Sequence, residues 1–299
     1  VRMEKGYINW THDGGEGIYY QIYIDGNLVS YTTQVPSVDD PETMEEQVVN
    51  KFANAEEARV VNDLITDTDL HRITIKTIKD GAIDSKASEQ LSAYKLASTT
   101  DARFNDYKLY WSSIPNAQGY VVRCANADMS TIFGDSYNAE YNGIYVNGVN
   151  GGQGGLTLPL GIPSGSYGFY VVAIGSTNDN STTGYLTGGN GNTAPITIIS
   201  NVTNVGTRSG IIVWDAATNA KNYKVEVFEG ETVTTDSSSQ SFYVNTNQAS
   251  LEADTYASGF YVVRIWAQGD GQTTLNASLS EIAEIKVYKA PKPHDFKIR

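Results

Sequence analysis

Three stretches of the chain repeat one pattern of apolar and polar positions. In each, a short apolar run ends in a tryptophan, a turn follows, and an alternating run opens with a tyrosine. The paired runs are Tyr7–Trp10 with Tyr20–Ile24, Leu109–Trp111 with Tyr120–Cys124, and Ile211–Trp214 with Tyr223–Val227. Alternation of this kind indicates half-buried strands, and the copies recur about every hundred residues. The sequence therefore predicts three repeated all-β modules.

A second repeated stretch closes the later modules. Gly165–Ala173 and Gly259–Ala267 share an initial glycine followed by apolar residues at alternate positions. The alternation places Tyr167 and its apolar partners on one face of a strand, which we predict to be core. In the first module the matching stretch has Asp69 in place of the glycine and His71 in place of the tyrosine. The alternation is kept there, but the tyrosine is not.

These landmarks resemble those of fibronectin type III and related immunoglobulin-like sandwiches. In that family a tryptophan ends strand B, a tyrosine opens strand C, and a G-x-Y pattern with alternating apolar residues marks strand F. The resemblance implies an all-β fold of three tandem sandwiches, each of about 100 residues. It divides the chain into modules at 1–97, 98–198 and 199–290, followed by a tail at 291–299.

The first module contains an insertion with helical spacing at about residues 40–64. Asp40 before Pro41 is a helix-start signal, and apolar residues recur at helical spacing from Met44 to Leu64. We therefore predict one inserted helix. It either covers an open sheet edge or face as a lid or docks a partner, and the lid is favoured because apolar helix stripes usually face a core.

Two glycine-rich stretches lie in the second module, at 142–155 and 188–192. Glycine permits tight turns and close approach of another surface, so both are predicted to be loops. The first lacks the G-x-x-x-x-G-K-[ST] spacing of a phosphate-binding loop. The junctions between modules contain no long Pro- or Ser-rich linker, which predicts a semi-rigid rod.

Charge and cysteine content narrow the classes of protein. The 299 residues include 34 acidic and 21 basic side chains, a formal net charge of −13, so we expect no nucleic-acid partner. The single cysteine, Cys124, forms no intramolecular disulfide and is expected in the core. No apolar run reaches the roughly 18 residues of a membrane-spanning helix, so we expect no membrane insertion.

No group of residues predicts catalysis or a bound cofactor. The three histidines share no motif, and H-E-x-x-H, G-x-S-x-G and C-x-x-C do not occur. Asp67, Asp69 and Asp179 are weak calcium candidates, because they lack the D-x-[DN]-x-[DN]-G spacing. Asp and Asn favour turns, so solvated turn residues are the preferred interpretation. We expect a protein that is not an enzyme and holds neither cofactor nor metal.

Six apolar or aromatic residues are candidates for an interface. Alternation points the first four away from their own cores, and the last two alternate in the tail: Tyr23, Tyr110, Tyr170, Trp266, Phe296 and Ile298. Outward aromatics can form cross-strand pairs, anchor a protein interface or stack on sugars, in that order of preference. Few residues precede the first strand and extra residues follow the last. Exchange of strands with neighbouring copies is therefore a hypothesis, although frayed termini are commoner.

These observations favour a non-catalytic structural or adhesive protein on an exterior surface, either a phage virion component or a bacterial cell-surface or filament protein. The expected partners are proteins of a larger assembly, copies of the same chain included, and glycans are a further option. The chain starts at Val1 without a signal peptide, which fits a virion component, a trimmed exported protein or a fragment. The alternative is a set of carbohydrate-binding accessory modules from a polysaccharide-active enzyme. Fold alone does not decide between them.

Overall fold

The computed structural model describes residues 1–11, 15–38, 42–148, 153–177, 183–234, 239–251 and 255–291. It confirms the predicted fold class, because the chain is almost entirely β and its sheets form tandem sandwiches of the fibronectin type III or immunoglobulin-like kind. Among these residues, no helix has both the length and the apolar character needed to cross a bilayer.

Within the described residues each module supplies eight strands, numbered along the chain. The first module contains β1 (Arg2–Glu4), β2 (Tyr7–Asn9), β3 (Ile18–Ile24), β4 (Asn27–Leu28), β5 (Tyr31–Pro36), β6 (Met44–Val49), β7 (Leu70–Lys79) and β8 (Leu91–Lys95). The second contains β9 (Arg103–Asn105), β10 (Lys108–Ser112), β11 (Gly119–Cys124), β12 (Ile144–Asn147), β13 (Gln153–Thr157), β14 (Gly165–Ile174), β15 (Thr183–Leu186) and β16 (Ala194–Ile198). The third contains β17 (Thr203–Arg208), β18 (Ile211–Asp215), β19 (Asn222–Glu229), β20 (Ser239–Val244), β21 (Gln248–Ala249), β22 (Gly259–Gln268), β23 (Thr274–Leu275) and β24 (Ala283–Lys289).

Helix is limited to short pieces in the same part of the chain. The α-helices are α1 (Val61–Leu64) and α2 (Met129–Phe133), and the 3-10 turns are Glu57–Val60, Gly134–Ser136 and Leu279–Glu281. The sequence did not predict α2. Its start is fixed by Asp128, whose Oδ1 accepts a hydrogen bond from the backbone N–H of Thr131 at 2.9 Å.

The second and third modules share one strand order. In the second, the sheet β13-β10-β9 and the strands β12-β11-β14-β16 enclose a single core. In the third, β17-β18-β21 and β20-β19-β22-β24 do the same. The first module keeps the sheet β8-β7-β3-β4 and adds two separate hairpins, β1-β2 and β5-β6. Strands β7, β14 and β22 are therefore equivalent, and so are β8, β16 and β24. The first three have ten residues each and are called the long strands below.

The repeated tryptophans occupy equivalent places in the three cores. Each is buried, and each contacts a tyrosine near the start of the next strand along the chain, in β3, β11 or β19. The ring centroids are 5.3 Å apart for Trp10–Tyr20, 5.5 Å for Trp111–Tyr120 and 5.4 Å for Trp214–Tyr223. Within the described part of the chain, none of the three indole N–H groups has a hydrogen-bond partner. The three tryptophans share the same packing and the same unpaired indole N–H, which supports a single module repeated three times.

Part of the glycine-rich stretch of the second module forms strands instead of a loop. β12 and β13 take up half of it on either side of residues 149–152, which lie outside the described residues. A Cβ on Gly154 would lie 2.3 Å from Trp111 Cε2, so only glycine lets this strand run directly against the indole. This correction gives the glycine a packing role in the core.

The first module contains an inserted helix as predicted, but the helix is much shorter than the predicted 40–64. Residues 44–49 form β6, which pairs antiparallel with β5, and only 57–64 are helical. Met44 and Val48 are 58% and 67% exposed, so their apolar stripe covers no core. Phe52, the next member of the stripe, is buried and forms an isolated bridge with Tyr20. The helix-start signal at 39–41 lies outside the described residues.

Replacing Trp111 tests whether each module has its own core. We expect Trp111→Ala to lower the free energy of unfolding of the second module by about 3–5 kcal/mol, because a fully buried aromatic side chain is lost. The measurement is denaturant unfolding followed by circular dichroism. Tyr110→Ala, on the adjacent and partly exposed position of the same strand, is the control and should cost much less. Equal losses in the two variants would contradict the repeat.

Candidate functional site at the module junctions

Two strands leave their own module and complete the sheet of the preceding one. β15 follows β14 of the second module but pairs parallel with β8 of the first, with Tyr185 opposite Tyr94. β23 follows β22 of the third module but pairs parallel with β16 of the second, with Thr274 opposite Thr197. A crossing segment is the name used below for the residues between β14 and β16, and for those between β22 and β24.

Each crossing segment places one leucine in the neighbouring core. Leu186 is fully buried and belongs to the core of the first module, and Leu275 is 8% exposed and belongs to that of the second. Their carbonyl oxygens accept backbone hydrogen bonds from Leu96 and Ile199, at 3.0 and 3.3 Å. These donors occupy the same position, directly after β8 and β16. The two junctions are therefore built alike.

The turn between β1 and β2 contacts the first crossing segment. Lys5 and Gly6 adopt positive φ values of 51° and 76°, a tight turn that glycine accepts without strain. The N–H of Gly6 donates to the carbonyl of Ser176 at 2.9 Å, and its carbonyl accepts from the N–H of Thr187 at 2.8 Å. A Cβ on Gly6 would lie 2.7 Å from the backbone nitrogens of Gly175 and Thr187, so only glycine lets the turn approach the crossing segment this closely.

The turn between β9 and β10 also contacts the second crossing segment, through different hydrogen bonds. Asp106 and Tyr107 have positive φ values of 46° and 61°. The N–H of Tyr107 donates to the carbonyl of Gly271 at 3.0 Å, and its hydroxyl donates to the carbonyl of Gly269 at 2.7 Å. Burial raises the pKa of the Tyr107 hydroxyl, which keeps it protonated as a donor.

A glycine at the end of each long strand allows the crossing segment to fold back closely. A Cβ on Gly175 would lie 1.9 Å from the carbonyl oxygen of Tyr185, and one on Gly269 would lie 2.4 Å from that of Thr274. Atoms cannot approach so closely, so a larger residue at either glycine would displace the crossing strand.

A buried lysine lies beside the first crossing segment, on β8 opposite Leu186. Lys95 is 8% exposed, and its Nζ donates to the carbonyls of Asn62 and Ile65 at 2.6 and 2.5 Å. Burial lowers the pKa of this ammonium group and nearby Asp63 opposes the shift. At the outer rim of the same junction Lys5 forms an ion pair with Glu140 of the second module.

The linkers between modules are held by specific hydrogen bonds. Thr99 is 1% exposed and donates from Oγ1 to the carbonyl of Val171 at 2.7 Å. Asn201 accepts from the N–H of Ala267 at 2.9 Å and donates to the carbonyl of Ile265 at 3.0 Å. Each linker is thus fixed to the module that follows it, which supports the predicted semi-rigid connection.

His71 stands at the position where the second and third modules have a tyrosine that forms a tyrosine corner. Tyr167 and Tyr261 each donate from the hydroxyl to the carbonyl four residues earlier, at 3.0 Å. His71 instead bonds from Nε2 to Asp67, also four residues earlier, at 2.9 Å and from Nδ1 to Asp25 at 2.8 Å. Partial burial lowers the pKa of His71, but the hydrogen bonds to the two carboxylates outweigh burial and raise it.

The calcium candidates have other partners in the structure. Asp67 Oδ1 accepts from the N–H of Asp69 at 2.9 Å as well as from His71. That backbone bond, followed by the bond to His71, lowers the pKa of Asp67. Asp179 lies outside the described residues. Among the residues that are described, no three His, Cys, Asp or Glu side chains are placed to hold a metal ion, and the calcium site stays an untested prediction.

The outward aromatic candidates are distributed over the three modules and are all half-buried. Tyr23 packs beneath the ammonium of Lys76, whose Nζ is 5.0 Å from the ring centroid. Tyr110 lies on β10 and Tyr170 on β14, which belong to opposite sheets of one sandwich. Trp266 donates from Nε1 to the carbonyl of Ala277 at 2.5 Å and so holds the second crossing segment in place.

The tail candidates Phe296 and Ile298 lie outside the described residues. The structure therefore brings none of the predicted interface residues together in one site. It brings together the crossing segments and the turns instead, which the sequence reading missed. A usable signal existed, because Tyr185-Leu186 and Thr274-Leu275 are short apolar pieces left over between two assigned strands.

Comparison with known proteins adds little to this geometry. No protein-family model matches the chain, and no curated protein matches it. Among solved structures, the crystal structure of the FN1–FN3 domains of chicken CNTN1 aligns over 98% of both chains, with 13% identity and a TM-score of 0.28. With similarity this low, the fold assignment depends on the strand order of this chain itself.

Shortening Leu186 tests whether the crossing segment supports the preceding module. We expect Leu186→Ala to destabilise the first module by about 2–5 kcal/mol, because the leucine is buried in that core although it belongs to the second module's chain segment. Hydrogen exchange should accelerate in β3 and β7 more than in β10. Leu160→Ala, at a leucine 52% exposed in the same module, is the matched control and should leave exchange in β3 and β7 unchanged.

The raised pKa of His71 predicts a pH-dependent stability of the first module. The charged histidine bonded to two carboxylates contributes its full stabilisation below its unfolded pKa of about 6.5 and loses it as pH rises through the higher folded value. We expect denaturant unfolding monitored in β3 and β7 to show lower stability at pH 8 than at pH 6. His71→Tyr should remove this dependence. The same decline in both proteins would contradict the role of His71.

Proposed function

We propose that this chain is a non-catalytic structural or adhesive protein that acts on an exterior surface as a stiff spacer and makes contacts with other proteins. The observation that carries the proposal is the pair of crossing segments, since each module completes the sheet of the one before it. Pairing of this kind joins three sandwiches without a free hinge. A spacer that holds a binding partner at a fixed distance needs this stiffness.

The perturbed titratable groups support a structural role. Burial opposes the shift of Asp270, but its hydrogen bonds to Thr273, Gln272 and Thr274 lower the pKa of its carboxyl group. Hydrogen bonds to the side chain and backbone of Ser112 lower that of Asp101. These carboxylates hold turns and strand ends, and their pKa values are lowered for that reason. Perturbed groups of an active site would instead converge on one cleft.

The aromatic side chains favour protein contacts over sugar binding. A sugar platform needs exposed rings that share one face. Tyr110 and Tyr170 lie on opposite sheets, and the ring of Trp266 is fixed by its bond to Ala277. The acidic surface, with a formal net charge of −13, suits solubility of a crowded array of such rods.

Surface labelling tests the location. We expect a membrane-impermeant, amine-reactive reagent to label this protein on intact source cells or particles, because several lysines lie on its exposed faces. Labelling only after disruption of the cells or particles would contradict an exterior position. A glycan array with the purified chain tests the alternative, since sugar binding that is lost in Tyr170→Ala would favour a carbohydrate-binding module over a structural one.

A further inference from the structure

The last strand of each module has an edge that faces away from its own long strand. At β8 and β16 this edge is occupied by β15 and β23. In the described residues β24 pairs with β22 on one side and with no strand on the other. β17 lies beside β24 as β9 lies beside β16. This neighbour does not prevent strand addition, because β16 carries β23 in the same surroundings.

The turn next to β24 matches the turns that the crossing segments occupy. Ser209 and Gly210 have φ values of 52° and 79°, as Lys5 and Gly6 have 51° and 76°. A Cβ on Gly6 would meet the crossing segment at once, whereas nothing that the structure describes lies within 4 Å of the same position on Gly210. The third turn therefore has the shape of a junction but lacks its occupant.

An exposed tyrosine on β24 occupies the place of a tyrosine that contacts a crossing strand. Tyr94 lies opposite Leu70, and Tyr288 opposite Phe260, at the same step of the strand pair. Tyr94 stacks on Tyr185, with 5.9 Å between ring centroids. Tyr288 is 58% exposed and Phe260 is 49% exposed. An arriving strand would cover Tyr288 as β15 covers Tyr94.

A lysine recurs at this position as well. Lys95 and Lys289 occupy equivalent positions, and each donates from Nζ to a backbone carbonyl of the loop before the long strand. Lys289 bonds to Tyr256 at 2.8 Å and is half-buried. Lys95, which lies opposite Leu186 of β15, is 8% exposed and so is more buried than Lys289.

We propose that the acceptor, defined as residues 286–290 with the turn Ser209–Gly210, receives the tip at 80–84 of a second copy of this chain as an added parallel strand. Residues 80–90 join β7 to β8 and are equivalent to the two crossing segments. This deepens the proposed function, because it names another copy of the chain as the protein partner.

The first module supplies the complementary segment. The tip at 80–84 is exposed, and Ile83 within it is 99% exposed. After the tip the segment returns along its own module, because the N–H groups of Ser85 and Ser88 donate to carbonyls of β7 at 2.9 and 2.8 Å. In the two crossing segments the corresponding apolar residues, Leu186 and Leu275, are the buried anchors. Those segments are already engaged within the chain. Residues 80–90 are the remaining segment of this kind, and they lie at the opposite end from the acceptor.

The charges of the two surfaces are complementary. The tip at 80–84 carries the carboxylates of Asp80 and Asp84 and no cation, while Arg208 and Lys286 flank the acceptor. The first junction sets a precedent, because there a cation beside the acceptor turn, Lys5, pairs with Glu140 of the arriving module. A contact between opposite ends of the chain is heterologous and does not close on itself, so it builds linear filaments.

Disulfide trapping tests the register of the added strand. In the two occupied junctions, Tyr94 lies opposite Tyr185 and Thr197 opposite Thr274, which places Ala82 of one copy opposite Tyr288 of the other. We expect Ala82→Cys chains mixed with Tyr288→Cys chains under mild oxidation to form a crosslinked dimer about tenfold faster than Ala82→Cys mixed with Asp135→Cys. Cys124 is buried and does not interfere. Equal rates for the two mixtures would overturn the proposal.

Sedimentation velocity of the full chain provides the second test. We expect the sedimentation coefficient to rise with protein concentration and the rise to weaken at high salt. Ala290→Pro removes the N–H that corresponds to the donors of Leu96 and Ile199, and should weaken association by about tenfold. Ala290→Ser keeps this N–H and should associate as the unmodified chain does. A chain that stays monomeric at all concentrations, or association unaffected by Ala290→Pro, would refute the inference.

The two proposals can fail separately. A chain that is labelled on intact cells or particles but does not self-associate would refute the second copy as partner and leave the exterior role in place. A chain that forms filaments in solution but is labelled only after disruption would do the reverse.

Discussion

A β-sandwich leaves backbone N–H and C=O groups unpaired along its edge strands, and such edges invite pairing with whatever strand comes near. In this chain the edges of β8 and β16 are paired by segments of the next module. The same segments place Leu186 and Leu275 in cores to which they do not belong in sequence. Edge pairing and core filling therefore depend on each other, and both depend on the arrangement of consecutive modules.

This dependence has consequences for stiffness and cooperativity. A module whose sheet is completed by its neighbour cannot rotate about the linker without breaking backbone hydrogen bonds and exposing a buried leucine. The linkers themselves are fixed by Thr99 and Asn201. Tandem sandwiches joined by a flexible linker would unfold and move as separate units. Here the three cores are distinct, but the junctions couple them, which fits the proposed role as a spacer.

The three modules differ at one position of their repeated pattern, the tyrosine corner. Two of them use a tyrosine corner, and the first substitutes His71 with the carboxylates of Asp25 and Asp67. The geometry is preserved, because both versions bond to a group four residues earlier. The chemistry differs, because the imidazole of His71 lies between two carboxylates whose hydrogen bonds raise its pKa. The first module thus has a titratable imidazole at the position where its neighbours have a tyrosine.

The sequence by itself determined the module count and the inward residues. Period-2 alternation around Trp10, Trp111 and Trp214 is a local property of strands, and it located all three cores correctly. The stripe at Met44 and Val48 was misread as a helix because a spacing of four residues places side chains on one face of a strand as well as of a helix.

Tertiary structure alone decided the destination of the crossing segments. A short apolar piece such as Tyr185-Leu186 carries no local mark that says which sheet edge it will join, since strand pairing is a contact between residues distant in the chain. The glycines at 175 and 269 likewise read as ordinary turn residues until the approaching backbone is known. The alternation of a strand is set by neighbouring residues. The sheet edge that a strand joins depends instead on the position of the following module.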